Sequence, residues 1–173
     1  MFSTGEAEVA LIADPPAEGT SFEDFYLDHH REVYAAMWLV ARDRHEAEEI
    51  TQDAFLRVLE RWDRVAGLED PTGYLFRTAM NMWRSRARRS ALAMRRAIRI
   101  TPPRDELEFA ESRADVVRVL GTLTPRQRAA IVLVDLVGLT SEDAGKALGV
   151  RPSTVRVLAA RERTALKEGL VDR

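Results

Sequence analysis

A run of arginines in the middle of the chain has the residue types and the spacing of a nucleic-acid contact surface. Residues 77–100 contain eight arginines and no acid. Arg77, Asn81, Arg84 and Arg88 are separated by four, three and four positions, so on a helix they share one outward side. Asparagine and arginine form paired hydrogen bonds with the edges of adenine and guanine, and arginine also binds phosphate. Trp83 borders this side and could stack on an unpaired base, although packing in the core is the preferred interpretation.

The segment from Arg44 to Trp62 combines an apolar stripe with an acidic ridge, as expected for an amphipathic helix. The inner stripe comprises Ala47, Ile50, Ala54, Val58 and Trp62. The acidic ridge comprises Glu48, Glu49, Gln52, Asp53 and Leu56. Because Leu56 is an apolar side chain among acids, we interpret the ridge as a protein-binding surface rather than as a solvated face.

Three histidines near glutamates raise the question of a metal site. His45 and Glu49 are four positions apart on one predicted helix, which is the spacing of a helical metal pair. The sequence has no second histidine-containing cluster to complete the coordination shell, and it has no cysteine. Of the adjacent His29 and His30, we expect one ring to pack and the other to be solvated. The sequence therefore predicts neither a metal site nor a cofactor.

Residues 136–166 have the pattern of a helix-turn-helix. A short helix ends at Gly149, where a positive φ costs glycine nothing. Pro152 then takes the first position of a second helix, where its missing N–H is no loss. The packing side of that helix carries Val155, Ala159, Glu162 and Leu166. The opposite side fits a DNA major groove, and the alternative is an ordinary helical hairpin with a glycine turn.

Further helices must position these surfaces. One begins at Ser21, with Glu23 and Asp24 in the first turn, where the helix dipole favours acids. The arginine-bearing helix follows the loop 64–73, and Thr124-Pro125 starts a helix that stops at Gly138. The recurring apolar positions are Phe22, Phe25 or Tyr26, Val33, Met37 and Val40 in the first helix, Leu75, Ala79 and Met82 in the arginine-bearing helix, Val116, Val117, Leu120 and Leu123 after residue 110, and Ala129, Ile131, Val132, Leu133 and Leu136 after Thr124.

Charge is segregated along the chain, although the formal net charge is only −2. Residues 1–76 hold 17 acids and 6 bases, whereas residues 124–173 hold 6 acids and 9 bases. An acidic first part repels DNA and suits a basic protein surface, so we expect weak binding to free duplex DNA. The sequence has no cysteine, no long apolar run and no leader-like start, which favours a cytoplasmic protein without membrane insertion.

These features predict an all-α protein of two small helical domains joined by a flexible linker, the C-terminal one a helix-turn-helix. We expect a disordered extension over residues 1–20, a helical domain over 21–91, a linker over 92–109 and a second domain over 110–170. Residues 94–109 alone, about sixteen, span ~50 Å when extended, which exceeds one DNA turn of ~34 Å, so the two domains can read separate sites.

Several separated motifs together resemble the extracytoplasmic-function sigma factors, the smallest bacterial sigma factors of the housekeeping-sigma superfamily. Ala47–Trp62 resembles the polymerase-binding helix of that family, with its A-x-D-x-x-Q-x-x-F pattern. Gly73–Arg89 resembles the helix that reads the melted promoter element, and Asn81 stands at the family asparagine. Leu123–Leu133 and the helix-turn-helix resemble the module that reads the upstream element.

The resemblance implies three sets of contact residues and no catalytic residue. The coiled-coil clamp of the largest polymerase subunit would be bound by Glu48, Glu49, Gln52, Asp53 and Leu56. The minus-ten element would be faced by Arg77, Asn81, Arg84, Ser85 and Arg88, and the loop 66–73 would hold an extruded base. The minus-thirty-five duplex would be faced by Ser153, Thr154, Arg156, Val157, Ala160 and Arg161.

The chain departs from the family pattern at four places. Glu49 replaces the usual aspartate and keeps the charge, whereas Ser85 replaces an aspartate of the promoter-melting helix. Ala144-Gly145 replaces the usual Ile-Ala pair, which we expect to weaken the packing of that helix. Val157-Leu158 stands where the family often has Ser-Arg, which removes one basic contact.

The resemblance implies an alternative sigma factor that binds core RNA polymerase and directs promoter recognition and melting. It also implies an anti-sigma protein as a partner, a monomer when free and no enzyme activity. A stand-alone helix-turn-helix regulator is one alternative, but it leaves the acidic ridge unexplained. A metal enzyme built on His29, His30 and His45 is the other, and bound metal in stoichiometric amount would support it.

Overall fold

Helices make up all the regular secondary structure in the part of the chain that the structure describes. The computed structural model describes residues 20–94 and 111–171, with the side chains of 20–90, 117–161, 163 and 164. The N-terminal helices are α1 (Phe22–Ala41), α2 (Arg44–Leu59), α3 (Trp62–Val65) and α4 (Pro71–Met94). The C-terminal helices are α5 (Glu111–Thr122), α6 (Pro125–Ile131), α7 (Ser141–Leu148) and α8 (Pro152–Val171). The prediction of an all-α protein is confirmed, and none of these helices is long and apolar enough to cross a membrane.

Side-chain caps fix where the helices begin. Ser21 Oγ accepts a hydrogen bond from the Asp24 backbone N–H at 3.1 Å, which caps α1. Asp43 caps α2 in the same way through the Glu46 N–H at 2.7 Å. At α6, Thr124 and Gln127 exchange hydrogen bonds in a capping box ahead of Pro125. The predicted helix starts at Ser21 and at Thr124-Pro125 are therefore confirmed.

Two predicted helices are shorter than the sequence suggested. The second helix ends at Leu59 instead of Trp62, because Arg61 leaves the helical region at φ −128° and ψ 19°. Trp62 then begins α3 and packs edge-on against Phe22, with ring centroids 5.6 Å apart. The helix after Thr124 becomes a π-helical turn over Val132–Leu136. The wider turn rotates Leu136 outward, where it is 55% exposed.

One continuous buried cluster includes residues from both the N-terminal and the C-terminal helices. Most of the recurring apolar positions lie in it, but Tyr26 is exposed and Met82 only half-buried. Phe76 and Met80, which the sequence analysis did not place in the core, are fully buried. The reason is that α4 packs against α1 and α2 on one side and against α7 on the other, so its apolar stripe is wide. Trp83 is 7% exposed, which confirms its placement in the core.

Candidate protein and nucleic-acid interfaces

The helix-turn-helix is formed by α7 and α8. Thr140 caps α7 through the Asp143 N–H at 3.1 Å, and Gly149 ends it with φ +65°. Val155 and Ala159 on α8 are buried against the other helices, while Glu162 and Leu166 lie outside the described side chains. The side chains predicted to face the upstream duplex are all exposed, namely Ser153, Thr154, Arg156, Val157, Ala160 and Arg161. Of these, Val157 is 56% exposed and supplies an apolar contact surface.

The turn between α7 and α8 is tighter than the sequence suggested. A Cβ atom on Gly145 would lie 2.9 Å from the Val150 carbonyl oxygen and 3.3 Å from the Pro152 nitrogen. These are backbone atoms, so an alanine here would force the turn apart. Gly145 therefore permits a close approach of the turn to α7, beyond the weaker packing expected from the loss of a methyl group.

The acidic ridge lies along the exposed side of α2. Glu48, Glu49 and Asp53 are each about half exposed, and Gln52 is exposed beside them. Leu56, one turn further on, is 57% exposed. The predicted apolar side chain among acids is thus present on the surface of the folded chain.

Arg86 on α4 joins the acidic ridge to the arginine-bearing helix. Its guanidinium donates hydrogen bonds to the Glu49 carboxylate and, at 2.9 Å, to the Asp53 carboxylate. The hydrogen bond from Arg86 holds the pKa of Glu49 below its usual value. Glu46, on the adjacent face of α2, has a raised pKa, because burial and the nearby Asp43 disfavour its charged form.

A groove of about 970 Å³ runs between α2 and α4. We call it the arginine groove, because its lining includes Arg57, Arg61, Arg77, Arg86 and Arg89. Asn81, Tyr74 and Ser85 also line it, and Arg61 donates to the Tyr74 hydroxyl at 3.2 Å. Five guanidinium groups with an aromatic ring and an amide suit an unpaired nucleic-acid strand, whose phosphates need cations and whose bases need polar and stacking partners.

The five residues predicted to face the minus-ten element are divided between two environments. Asn81 and Arg88 are exposed, and Ser85 is half-buried in the groove wall. Arg77 and Arg84 were expected to point outward, but they point toward α7. Arg77 forms an ion pair with Asp143 at 3.4 Å, and Arg84 donates to the Ala147 carbonyl at 3.2 Å. Burial against α7 lowers the pKa of Arg84.

A second arginine contact closes the other end of the same interface. Arg128 on α6 is buried and donates to the Val40 carbonyl of α1 at 3.2 Å and to the Leu120 carbonyl at 3.4 Å. Burial, with a smaller contribution from Arg42, lowers the pKa of Arg128 to about 10. Arg42 itself lies against Gly121 of α5, where a Cβ atom would be only 1.9 Å from its guanidinium. The C-terminal helices therefore contact both α4 and the end of α1.

The histidines take part in packing contacts. His29 Nε2 lies 3.2 Å from the Thr72 hydroxyl, and His30 stacks near Tyr26 with ring centroids 4.8 Å apart. Both are half-buried, so the expectation that one of them would be solvated was wrong. His45 is exposed and lies 3.4 Å from Glu49. Within the described residues, no group of three or more potential metal ligands comes together.

Arg86 and Arg128 are the residues whose roles the sequence did not suggest. Arg86 is four positions after Met82, so it lies on the side of α4 that faces α2, and this spacing was the available signal. Arg128 sits in the first two turns of α6 among apolar residues, where a buried guanidinium cannot be told from an exposed one by spacing. The carboxylate partners of Arg86 and the carbonyl partners of Arg128 follow only from the tertiary packing.

A helix-turn-helix packed beside an arginine-lined groove and an acidic ridge is typical of the helical transcription factors. The model of Sigma-70 region 2 matches residues 25–92, and the model of Sigma-70 region 4 matches residues 113–166. Together the two matches cover well over half of the chain.

Curated relatives agree with these matches. The ECF RNA polymerase sigma factor SigE of Mycolicibacterium smegmatis is 31% identical over 96% of this chain and 68% of its own length. The RNA polymerase sigma-E factor of Streptomyces coelicolor is 27% identical, over 90% of this chain and 89% of its own. The sigma factor RpoE of Bartonella quintana, solved in complex with the anti-sigma factor NepR, superposes with a TM-score of 0.71. At 23% identity, with 88% of this chain and 98% of that one covered, the superposition shows a shared fold.

The chain belongs to the extracytoplasmic-function sigma factors. It is an alternative sigma factor that directs transcription initiation, and none of the comparisons supports a stand-alone regulator.

Proposed function

We propose that three surfaces divide the work of initiation in this sigma factor. The acidic ridge of α2 binds a basic surface of core RNA polymerase, namely the coiled-coil clamp of its largest subunit. Asn81, Ser85 and Arg88 bind the melted minus-ten element beside the arginine groove, together with Arg77 and Arg84 once α7 has moved away. The exposed side of α8 binds the minus-thirty-five duplex. The chain acts in the cytoplasm as a monomer without catalytic activity, metal or cofactor.

The exposure of Leu56 is the observation that carries the proposal. Leu56 is 57% exposed and lies one turn beyond Asp53, so it offers a partner an apolar contact in the middle of a carboxylate surface. A basic partner would gain charge pairing from Glu49 and Asp53, and apolar burial from Leu56. A regulator that acted on DNA alone would need no such ridge.

Weak binding to DNA by the free chain is part of the proposal. Arg156, on the α8 surface, is paired with Glu142 at 3.3 Å, and the chain as a whole is slightly acidic. Binding to the polymerase holds both DNA surfaces close to the promoter, so the second contact becomes intramolecular. Two weak modules then give tight and specific promoter binding.

An anti-sigma protein is the partner proposed for the inactive state. The Bartonella RpoE structure contains the anti-sigma factor NepR, and another relative of this fold, CnrH, was solved with the cytosolic domain of CnrY. The acidic ridge and the arginine groove are adjacent in this chain, so one protein could cover both. Such a partner would compete with core polymerase for Leu56 and Asp53.

Run-off transcription with purified bacterial core polymerase on a promoter library tests the function. We expect promoter-specific transcripts that depend on this chain and that are lost with Gln52→Ala and with Asp53→Arg. Asp28→Arg, a charge reversal at an exposed position of α1, is the matched control and should retain the transcripts. No core binding and no transcripts from the wild-type chain would reject the proposal, and binding to duplex DNA without polymerase would favour a stand-alone regulator.

A further inference from the structure

Arg86 belongs to two surfaces at once, the acidic ridge and the arginine groove. We propose that the ridge holds Arg86 in the free chain, and that core polymerase releases it to bind a phosphate of the melted strand by engaging Glu49 and Asp53. This inference rests on the function proposed above, because it assigns a regulated contact to the same two surfaces.

The geometry gives Arg86 two sets of neighbours. On the ridge side its guanidinium bridges the carboxylates of Glu49 and Asp53, which come from successive turns of α2. On the other side the same residue lines the arginine groove with Arg57 and Arg89. A guanidinium has five N–H donors, so a small rotation of the side chain can exchange carboxylate partners for phosphate oxygens.

Electrostatics determine which set of neighbours Arg86 takes. In the free chain Arg86 is paired with both carboxylates, and its charge in the groove is balanced by Asp53, which lines the groove as well. A basic polymerase surface on Glu49 and Asp53 competes for the same oxygens and repels the guanidinium. Apart from Asp53, the charged residues that line the groove with Arg86 are four arginines and one acid, Glu60, so a phosphate is the ligand that restores its pairing.

The exchange couples the two binding events. Polymerase binding frees a cation in the groove from its carboxylate partners, and a strand bound in the groove occupies the cation that competes with the polymerase for the ridge. By thermodynamic linkage, each ligand then raises the affinity for the other by the same factor. An arginine fixed in the groove would bind the strand equally well with and without polymerase.

The first test needs only the free chain. Binding of a fluorescein-labelled oligothymidine of about 15 nucleotides is measured at several salt concentrations, because the salt slope counts phosphate contacts at roughly 0.7 per contact for single strands. We expect the double variant Glu49→Gln with Asp53→Asn to steepen the slope by about 0.7, since Arg86 is released. Adding Arg86→Gln to that variant should return the slope to the wild-type value. An unchanged slope in the double variant would overturn the proposal.

The second test compares the free chain with the holoenzyme. Arg86→Gln should reduce the salt slope by about 0.7 in the holoenzyme and leave the free chain unchanged. Arg89→Gln, at an exposed position in the same groove, is the matched control and should reduce the slope in both states. Equal effects of Arg86→Gln in both states, or none in either, would contradict the exchange.

Two controls separate failure of this inference from failure of the proposed function. If the wild-type chain does not bind core polymerase, the proposed function is rejected. The salt slope of the double variant in the free chain would still show whether Glu49 and Asp53 hold Arg86. Arg86→Lys keeps the charge but cannot bridge two carboxylates as a guanidinium does. It should therefore retain the holoenzyme slope and raise the free-chain slope toward it, which loss of folding cannot produce. Thermal unfolding of each variant confirms that it is folded.

Discussion

At the scale of single residues, two glutamates on α2 show how the environment divides similar side chains. Glu46 and Glu49 are three positions apart, yet burial raises the pKa of Glu46 while the hydrogen bond from Arg86 lowers that of Glu49. The environment destabilises the charged form of Glu46, whereas it stabilises the charged form of Glu49. Arg86 therefore stabilises the negative charge of the ridge at Glu49, whereas Glu46 lies outside the ridge.

These opposite shifts predict opposite effects of pH on two variants. The folded chain holds the Glu46 proton more tightly than the unfolded chain, so Glu46 lowers stability as pH rises through and above its usual value of 4.5. Glu46→Gln should then raise the unfolding free energy at pH 7 and have no such effect at a pH well below 4.5. The stability from Glu49 is present above 4.5 and is lost as pH falls through its lower folded value.

Glu49→Gln should accordingly lower stability at pH 7 and have no effect at strongly acidic pH. Urea unfolding of both variants and the wild-type chain between about pH 3 and pH 7 measures both signs. The two variants control for one another, since each removes one carboxylate from the same helix. Parallel pH profiles for the two would contradict the assignment.

Arg156 on α8 is expected to read the upstream duplex. Arg156→Ala should weaken binding of the holoenzyme to its promoter by about 1–3 kcal/mol and relax the preference at one base pair, because a bidentate contact with guanine is lost. Arg163→Ala is the matched control on the same helix, since Arg163 is paired with Asp135. Gel-shift competition between promoter variants measures both effects, and equal losses at every sequence would indicate a phosphate contact instead.

Spacing in the sequence identified the exposed Asn81 and Arg88, but it placed Arg77 and Arg84 on the outward side as well and gave no partners for any of them. The interval of four between Asn81 and Ser85 is enough to place both on one side of a helix. That Arg84 bonds to Ala147 and Arg86 to Glu49 depends on which helices pack against α4, and the spacing holds no information on that. The functional roles of these residues remain predictions for the experiments above.

At the scale of elements, the turn of the helix-turn-helix depends on Gly145. An alanine there would bring its methyl group within 2.9 Å of a backbone oxygen that cannot move alone. Gly145→Ala should cost about 1–3 kcal/mol of stability and weaken duplex binding, because α8 is displaced. Gly67→Ala is the control, with its nearest atom at 3.8 Å, and should change stability by less than about 0.5 kcal/mol.

Thermal unfolding and duplex binding of the two glycine variants are the measurements. A Gly145→Ala chain as stable as the wild type would mean that the turn relaxes without strain. The comparison isolates the effect of the close approach at Gly145, because both variants add the same methyl group to a glycine.

Local rules were sufficient for the helix starts and for the turn. Thr124, Pro125, Gly149 and Pro152 act within a few residues of themselves, so their effects can be read from the sequence. The π-helical turn at Val132–Leu136 was missed, since where a helix takes in an extra residue depends on what its two faces pack against. The break at Arg61 was missed for the same reason, because it lets Trp62 reach Phe22.

At the scale of the whole molecule, the C-terminal helices close over the N-terminal ones. Arg77, Arg84 and Arg128 each form a contact across the boundary, and a shared apolar cluster lies beneath them. The linker predicted over residues 92–109 would allow the two modules to separate along a promoter; residues 92–94 belong to α4, and 95–109 lie outside the described part of the chain. The closed arrangement could not be predicted, because nothing in either module alone identifies the surface it rests on.

Arg128 is expected to hold this arrangement closed. Arg128→Ala removes charge-assisted hydrogen bonds worth about 1.5–3 kcal/mol, so the open population should rise at least tenfold. Small-angle X-ray scattering should show a larger radius of gyration for that variant. Arg126→Ala, at an exposed position two residues earlier, should leave the scattering unchanged. Identical profiles for both variants would show that the apolar contacts alone keep the modules together.

One side of α8 is exposed to solvent, whereas one side of α4 is covered by α7, and this difference affects the order in which the DNA contacts form. The side chains proposed to read the duplex are accessible while the modules are still together, whereas Arg84 is bonded to Ala147 of α7, and Arg77, which lines the arginine groove, is paired with Asp143 of α7. We therefore expect recognition of the upstream element to precede the complete capture of the unpaired strand, in which Arg77 and Arg84 take part. At a promoter that lacks the upstream element, this chain would stop before the unpaired strand is bound. The rate of promoter opening would then fall more than the affinity of the chain for the promoter.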